Sequence, residues 1–429
     1  MRRFRISRLN LRDSAVILAA LGRRSVLQPI GTGLRFLEID HPRVCLVIAA
    51  LVAAAGYAYL LLFPGLVLTG TAGLHAALFD GRAPDWNRAL AWSAATGIAA
   101  LVSYRLFRFR PVPPVGIPLT ADCAPALFEL IATQNRHYNA PGIDRIVLSD
   151  GFELDIVKTP CRGLPVCSAH TLVIGRPLVQ YLSAPRFQCA LARRLGQFSK
   201  RHNGLEHRLH QLRHIWPQYC GRPREPGFGF QPLAWFYRLY APLYETVTAA
   251  AARLDELAAD NYAMELFSDA EVLDTITVEA VCRLYLTEKF WPAARRIAAS
   301  EKQAISSFHS GMVSVLRTGL QDEKAVKWIE QAMTDDTPWD APVPSLTRRV
   351  ENIGHMKARM GPVDAESAAA VYLGNTPERS TETADSGARQ QVDPLERLRH
   401  RLLPLSRRVA LAMQRLRRRH AGTAAVPGK

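Results

Sequence analysis

Twenty consecutive residues, Val44 to Phe63 (VCLVIAALVAAAGYAYLLLF), carry no charge. A helix rises about 1.5 Å per residue, so this stretch reaches across a hydrocarbon core of about 30 Å. Lipid offers no partner for a bare peptide group, and a lone segment therefore crosses a bilayer as an α-helix. The stretch starts too late, and behind too many arginines, for a cleavable signal peptide. A weaker second span is predicted from Ala89 to Tyr104 (ALAWSAATGIAALVSY), with Trp86 and Trp92 near one end as interfacial anchors. Membrane lipid is thus the first expected partner.

Charge sets the expected orientation. Arg2, Arg3, Arg5, Arg8, Arg12, Arg23, Arg24, Arg35 and Arg43 precede the first span, and Arg105, Arg108 and Arg110 follow the second. The intervening loop, Pro64 to Arg88, balances Asp80 and Asp85 against Arg82 and Arg88. The positive-inside rule places both ends in the cytoplasm, as for a protein of a bacterial-type inner membrane. The domains read as a basic segment (1–43), a membrane region (44–110), a soluble domain (111–373), a polar linker (374–391) and a basic amphipathic tail (392–429).

The formal net charge of +16 is concentrated in the arginine runs at the two ends, a placement that suits anionic lipid. No RNP, KH or helix-turn-helix signature is present, and nucleic acid is not an expected partner. The seven cysteines (Cys45, Cys123, Cys161, Cys167, Cys189, Cys220 and Cys282) are scattered without a CxxC pair, which fits free thiols in a reducing compartment.

Beyond a proline-rich spacer the pattern predicts a helix (PALFELIATQNRHY), strands at Arg145 to Ser149, Phe152 to Lys158 and Thr171 to Gly175, and then mainly helices. Few strands followed by many helices indicate an α+β domain.

Two apolar spans, a helix, a short sheet ending in TLVIGRPLVQYLSAPRFQCALARRLGQFSKRHN and then LDELAADNYAMEL form an ordered series that resembles the M48 zinc metallopeptidases. The resemblance runs from about Val44 to Leu373. It implies a mainly helical, zincin-like (gluzincin) domain with a small antiparallel sheet. In that family one helix carries HExxH and a later one ExxxD. Two histidines at i and i+4 and a later Glu bind zinc, and the Glu of HExxH is the general base. In this sequence Arg193 stands at the first histidine position, Arg194 at the base and Gln197 at the second histidine. Glu256 keeps the third-ligand position and Asp260 the second acid. Val343-Pro344-Ser345-Leu346 followed by Arg349 resembles the family's HPSL…R segment without its histidine and makes Arg349 a candidate groove residue.

A guanidinium stays protonated and has no lone pair for a metal. Loss of two ligands and the base argues against zinc binding and peptide hydrolysis, so no cofactor and no catalytic residue are expected. Arg193 is instead expected to stand where zinc stood, bridging Glu256 and Asp260. His207, His210 and His214, on one helical face beside Glu206, offer a replacement zinc site, the alternative in which the chain is an active endopeptidase with rearranged ligands. Trp216, Phe228, Phe230, Trp235, Phe236 and Tyr237 read as core or membrane-facing packing. No GxSxG elbow or P-loop is present. The expected function is a non-catalytic, membrane-bound polypeptide-binding or regulatory module, with a purely structural membrane-surface protein as a further alternative.

Overall fold

The apolar stretch that begins at Val44 does not stop at Phe63. In the computed structural model a helix α1 (residues 27–38) leads into α2 (Pro42–Phe79), 38 residues long and continuous through Pro64. The residues after Pro64, expected in a loop, are therefore helical. The missing amide of Pro64 breaks one backbone hydrogen bond, a loss that a helix packed against neighbours tolerates. Helix α3 (Trp86–Arg108) starts at Asp85, whose carboxylate accepts from the Arg88 amide at 3.2 Å, and ends with Arg105 and Arg108 beside its last carbonyls. Both helices are long and apolar enough to cross a membrane. They pack antiparallel at glycines: a Cβ on Gly70 would stand 2.1 Å from Thr96 Oγ1, and one on Gly73 would stand 2.6 Å from the Trp92 ring. Small residues let the two backbones approach.

The described residues are 27–38, 41–79, 84–109, 113–160, 168–199, 204–220, 231–301, 309, 311–335, 338–362 and 366–374, all within the unit Met1–Thr376. The segment before residue 27, the linker past Gly374, the basic tail, Cys161, Cys167, Phe228 and Phe230 lie outside them.

After α3 come β1 (Ile117–Leu119), α4 (Pro125–Tyr138), β2 (Arg145–Ser149), β3 (Leu154–Pro160) and β4 (Ser168–Gly175). They form one four-stranded sheet in the order β1-β2-β4-β3. The sheet is mixed, not antiparallel as expected, because β2 and β4 pair in parallel, Arg145 opposite Thr171 through Ser149 opposite Gly175. The cause is topological. β3 pairs antiparallel with β4 on its far side, which leaves the near side of β4 to β2. The two central strands are the most apolar, as sheet interiors require.

The remainder is helical: α5 (Arg176–Tyr181), α6 (Ala184–Gln197), α7 (Leu205–Cys220), α8 (Gln231–Val247), α9 (Ala249–Ala263), α10 (Asp269–Tyr285), a π-helical turn at Leu286–Phe290, α11 (Trp291–Glu301), α12 (Met312–Gly319), α13 (Asp322–Thr334), α14 (Leu346–Asn352) and α15 (Ala368–Tyr372). The described chain is thus mainly helical with a small sheet, an α+β arrangement. Two apolar cores result. One joins the sheet to α4, α6 and α10 through Leu127, Leu172, Phe187, Leu191 and Ile276. The other joins α2 and α3 to α7 and α8 through Leu60, Leu106, Trp216, Tyr219 and Tyr237. Of the aromatic group expected as packing, Trp216 and Tyr237 are buried, whereas Trp235 is 68% exposed.

Gly175, where β4 passes into α5, is constrained by space: a Cβ there would stand 2.1 Å from the Gly151 carbonyl oxygen and 2.7 Å from the Glu153 nitrogen. Gly175→Ala is expected to lower stability by about 2 to 3 kcal/mol, since backbone cannot yield as a side chain can. Thermal denaturation of the detergent-solubilised protein tests this; an unchanged melting temperature would mean that the turn relaxes freely.

Candidate functional site

Helix α6 is buried along almost its whole length, from Arg186 and Phe187 through Cys189 to Gln197. Such a helix has no solvent face, so each polar side chain on it must find a partner inside the protein. Gly196 permits this position, because a Cβ there would stand 2.5 Å from the Tyr262 Cβ on α9. Close α6–α9 packing brings the polar residues of the two helices together.

Arg193, 1% exposed, lies at the centre. Its Nε donates to Asp260 Oδ1 at 2.7 Å, one terminal nitrogen to Glu279 Oε2 at 2.8 Å and the other to Glu256 Oε2 at 3.3 Å. Arg194 donates to Glu256 Oε1 at 2.5 Å and to Gln197 Oε1 at 3.2 Å, and Gln197 Nε2 donates to Glu256 Oε1 at 3.2 Å. Arg349 on α14 forks onto Asp260, Nε to Oδ2 at 2.8 Å and a terminal nitrogen to Oδ1 at 2.7 Å. Three guanidinium groups thus face three carboxylates in a buried cluster, with the Arg283 charge also acting on Glu279.

The electrostatics follow from that pairing. Burial pushes the Glu256 carboxyl up, but the charges of Arg194, Arg193 and Arg349 outweigh it and hold the group well below the usual carboxylate range. Glu279 is also held low: burial opposes ionisation, and Arg193 leads the charges that overcome it. Burial disfavours the Arg193 cation, yet Asp260, Glu279 and Glu256 together raise its pKa further. The Cys189 thiol, one turn before Arg193, is pushed up to about 12, chiefly by burial, and is not a nucleophile at neutral pH. Carboxylates held this firmly as anions are poor general bases. The point at which positions 193 and 197 meet Glu256 is filled by N–H donors, which a cation cannot use.

The cluster unites four positions singled out in the sequence, Arg193, Gln197, Glu256 and Asp260, and Arg193 does bridge the two acids. Arg194, read only as a vacated base position, is a full member. Arg349, a candidate groove residue, is instead buried against Asp260. Glu279 escaped notice, although an acid within TITVEAVC, flanked by residues facing a core, is itself a sign of a buried counter-charge.

The three histidines do not converge. Nδ1 of His207 lies 3.2 Å, and Nδ1 of His210 2.6 Å, from the buried carboxylate of Asp255, and Nε2 of His207 meets Gln211. His214 points away, its Nε2 3.9 Å from Asp155 Oδ2 on β3. Among the described residues no group of three His, Cys, Asp or Glu side chains is placed to hold a metal ion. Next to these residues, the free edge of β3 is engaged by side chains. The Ile156 amide donates to Asp155 Oδ1 at 2.8 Å, and the Lys158 carbonyl accepts from Gln218 on α7 at 3.3 Å.

Glu256→Ala is expected to cost about 3 to 5 kcal/mol, because it leaves a buried guanidinium charge uncompensated. Chemical denaturation measures the loss, and a variant as stable as the parent would mean that the cluster is hydrated. The pH dependence has a definite sign. Glu256 and Glu279 have folded pKa values below the unfolded ones, so their stabilisation is complete above about pH 5 and is lost as pH falls further. The melting temperature is therefore expected to drop as pH falls below about 5, less steeply in Glu279→Gln.

No family model, no curated protein and no solved structure matches this chain.

Proposed function

We propose that the chain is a non-catalytic, M48-metallopeptidase-like integral membrane protein that serves as a regulatory or polypeptide-binding module. The observation that carries this reading is the position of the Arg193 guanidinium. Positions 193 and 197, one turn apart on α6, meet Glu256 on α9, with Arg193 at 3.3 Å and Gln197 at 3.2 Å. The resemblance in sequence puts two zinc-ligating histidines and a glutamate at those three positions. A fixed cation in place of a removable one holds the helices together without providing an activated water. The two apolar helices support a membrane location, and the arginines flanking them support a cytoplasmic soluble domain in a bacterial-type inner membrane.

Zinc content tests the reading. The purified, tag-free protein is expected to contain no zinc by elemental mass spectrometry. The triple variant Arg193→His, Arg194→Glu, Gln197→His is expected to gain about one zinc per chain, the stoichiometry of a single intact site. Stoichiometric zinc in the parent protein would overturn the proposal and return attention to His207 and His210.

The polypeptide-binding part of the reading depends on β3. A strand can be added to a sheet edge only where the outward amides and carbonyls are free. The Ile156 amide is engaged by Asp155 and the Lys158 carbonyl by Gln218 on α7, so binding in this mode displaces both side chains. The double variant Asp155→Ala, Gln218→Ala is expected to retain an unfolded model polypeptide more strongly than the parent in a pull-down; equal retention would favour a purely structural role.

A further inference from the structure

Helix α2 is too long for a bilayer. Its 38 residues measure about 57 Å at the α-helical rise, against a hydrocarbon core of about 30 Å. Helix α3, with 23 residues, fits that core. The close approaches of Gly70 to Thr96 and of Gly73 to Trp92 set antiparallel α3 along the C-terminal half of α2. The apolar N-terminal half of α2 extends past the end of α3, and there α7 and α8 take over as its neighbours.

The join is intimate. The Tyr237 hydroxyl donates to the Gly56 carbonyl at 2.8 Å, the Tyr240 hydroxyl to that of Val52 at 2.6 Å, and the Tyr59 hydroxyl to that of Pro232 at 3.0 Å. The rings of Tyr59 and Phe236 stack at 3.8 Å, and a Cβ on Gly56 would stand 2.5 Å from the Tyr240 hydroxyl. Because Tyr240 meets Val52 and Pro232 meets Tyr59, α8 runs antiparallel to α2, with its N-terminus towards the paired spans. A helix fixed in this way shares the depth of the segment it covers.

The outer side of α8 is unlike a solvent face. Trp235 is 68% and Leu239 76% exposed, one turn apart, with exposed Arg238 beside them. An aromatic and an aliphatic side chain next to one long cation suit the boundary between membrane and water, the ring among the upper acyl chains and the guanidinium reaching the phosphates.

We propose that the Trp235 end of α8, level with the point where α3 ends on α2, dips into the cytoplasmic leaflet, so that α2 and α3 cross the bilayer and Trp235 sits at the level of the headgroups and upper acyl chains beside them. This inference rests on the reading of α2 and α3 as membrane spans. The occupant is lipid because the face continues the surface of those spans and pairs its apolar side chains with a cation suited to phosphate.

Fluorescence quenching in vesicles tests it. Full-length protein is reconstituted in phosphatidylcholine and phosphatidylglycerol carrying bromine on the upper acyl chain, and the difference between the parent and Trp235→Phe isolates the Trp235 emission. Loss of that emission in brominated vesicles, with little effect of aqueous acrylamide, is expected. Quenching by acrylamide but not by bromine overturns the inference, and so does shielding from both, which would mean a protein partner such as a second copy on this face. The Trp86 and Trp92 emission, isolated in the same way, separates the two readings. If it too is insensitive to bromine and alkaline carbonate strips the protein from membranes, the spans themselves are misread.

Discussion

The domain depends on the neutralisation of charge where water cannot reach. Taking a guanidinium or a carboxylate out of water costs several kcal/mol, and the attraction between opposite charges offsets this only when geometry and hydrogen bonding are nearly complete. Arg193 meets that condition by dividing its fork among three carboxylates. Asp260 and Glu256 belong to α9 and Glu279 to α10, while Arg349 brings α14 onto Asp260. Four helices therefore share one electrostatic junction, and none can shift without uncovering a charge. A lysine could not replace Arg193, because a single ammonium lacks the planar arrangement of donors that reaches three acids at once.

A second charged junction connects the segment leading into the apolar helices to this one. Glu38, at the end of α1 and buried, pairs with Arg253 on α9 and with Arg348 on α14 at 3.3 Å. Arg253 precedes Glu256 by three residues, and Arg348 is adjacent to Arg349. The segment entering the first apolar helix is thus fastened to the same two helices that supply Glu256 and Arg349 to the central cluster. The tyrosine hydroxyls donating to α2 carbonyls add a third attachment, and the domain is held to its apolar helices through side chains, not through a covalent tether alone.

The limits of sequence reading have identifiable physical causes. An apolar stretch announces a helix but not its end: twenty residues already match a bilayer core, and only the neighbouring helices, invisible along one chain, show that α2 continues through Pro64. The strands were legible from their β-branched residues. Their order was not, because parallel pairing of β2 with β4 is decided by where β3 goes. Positions 193, 197, 256 and 260 were singled out through the resemblance of two segments to a known family's motifs. Glu279, 86 residues from Arg193, and Asp255 as the joint partner of two histidines depend on proximity in space.

Both edges of the sheet are blunted. β1 has three residues and carries Pro118, which has no amide to offer a neighbour, and β3 is engaged by Asp155 and by Gln218. Open strand edges promote stacking between copies of a chain. Here one outer strand carries a proline and the other has two backbone groups already taken by side chains. Backbone pairing of another chain with β3 would have to displace Asp155 from the Ile156 amide and Gln218 from the Lys158 carbonyl.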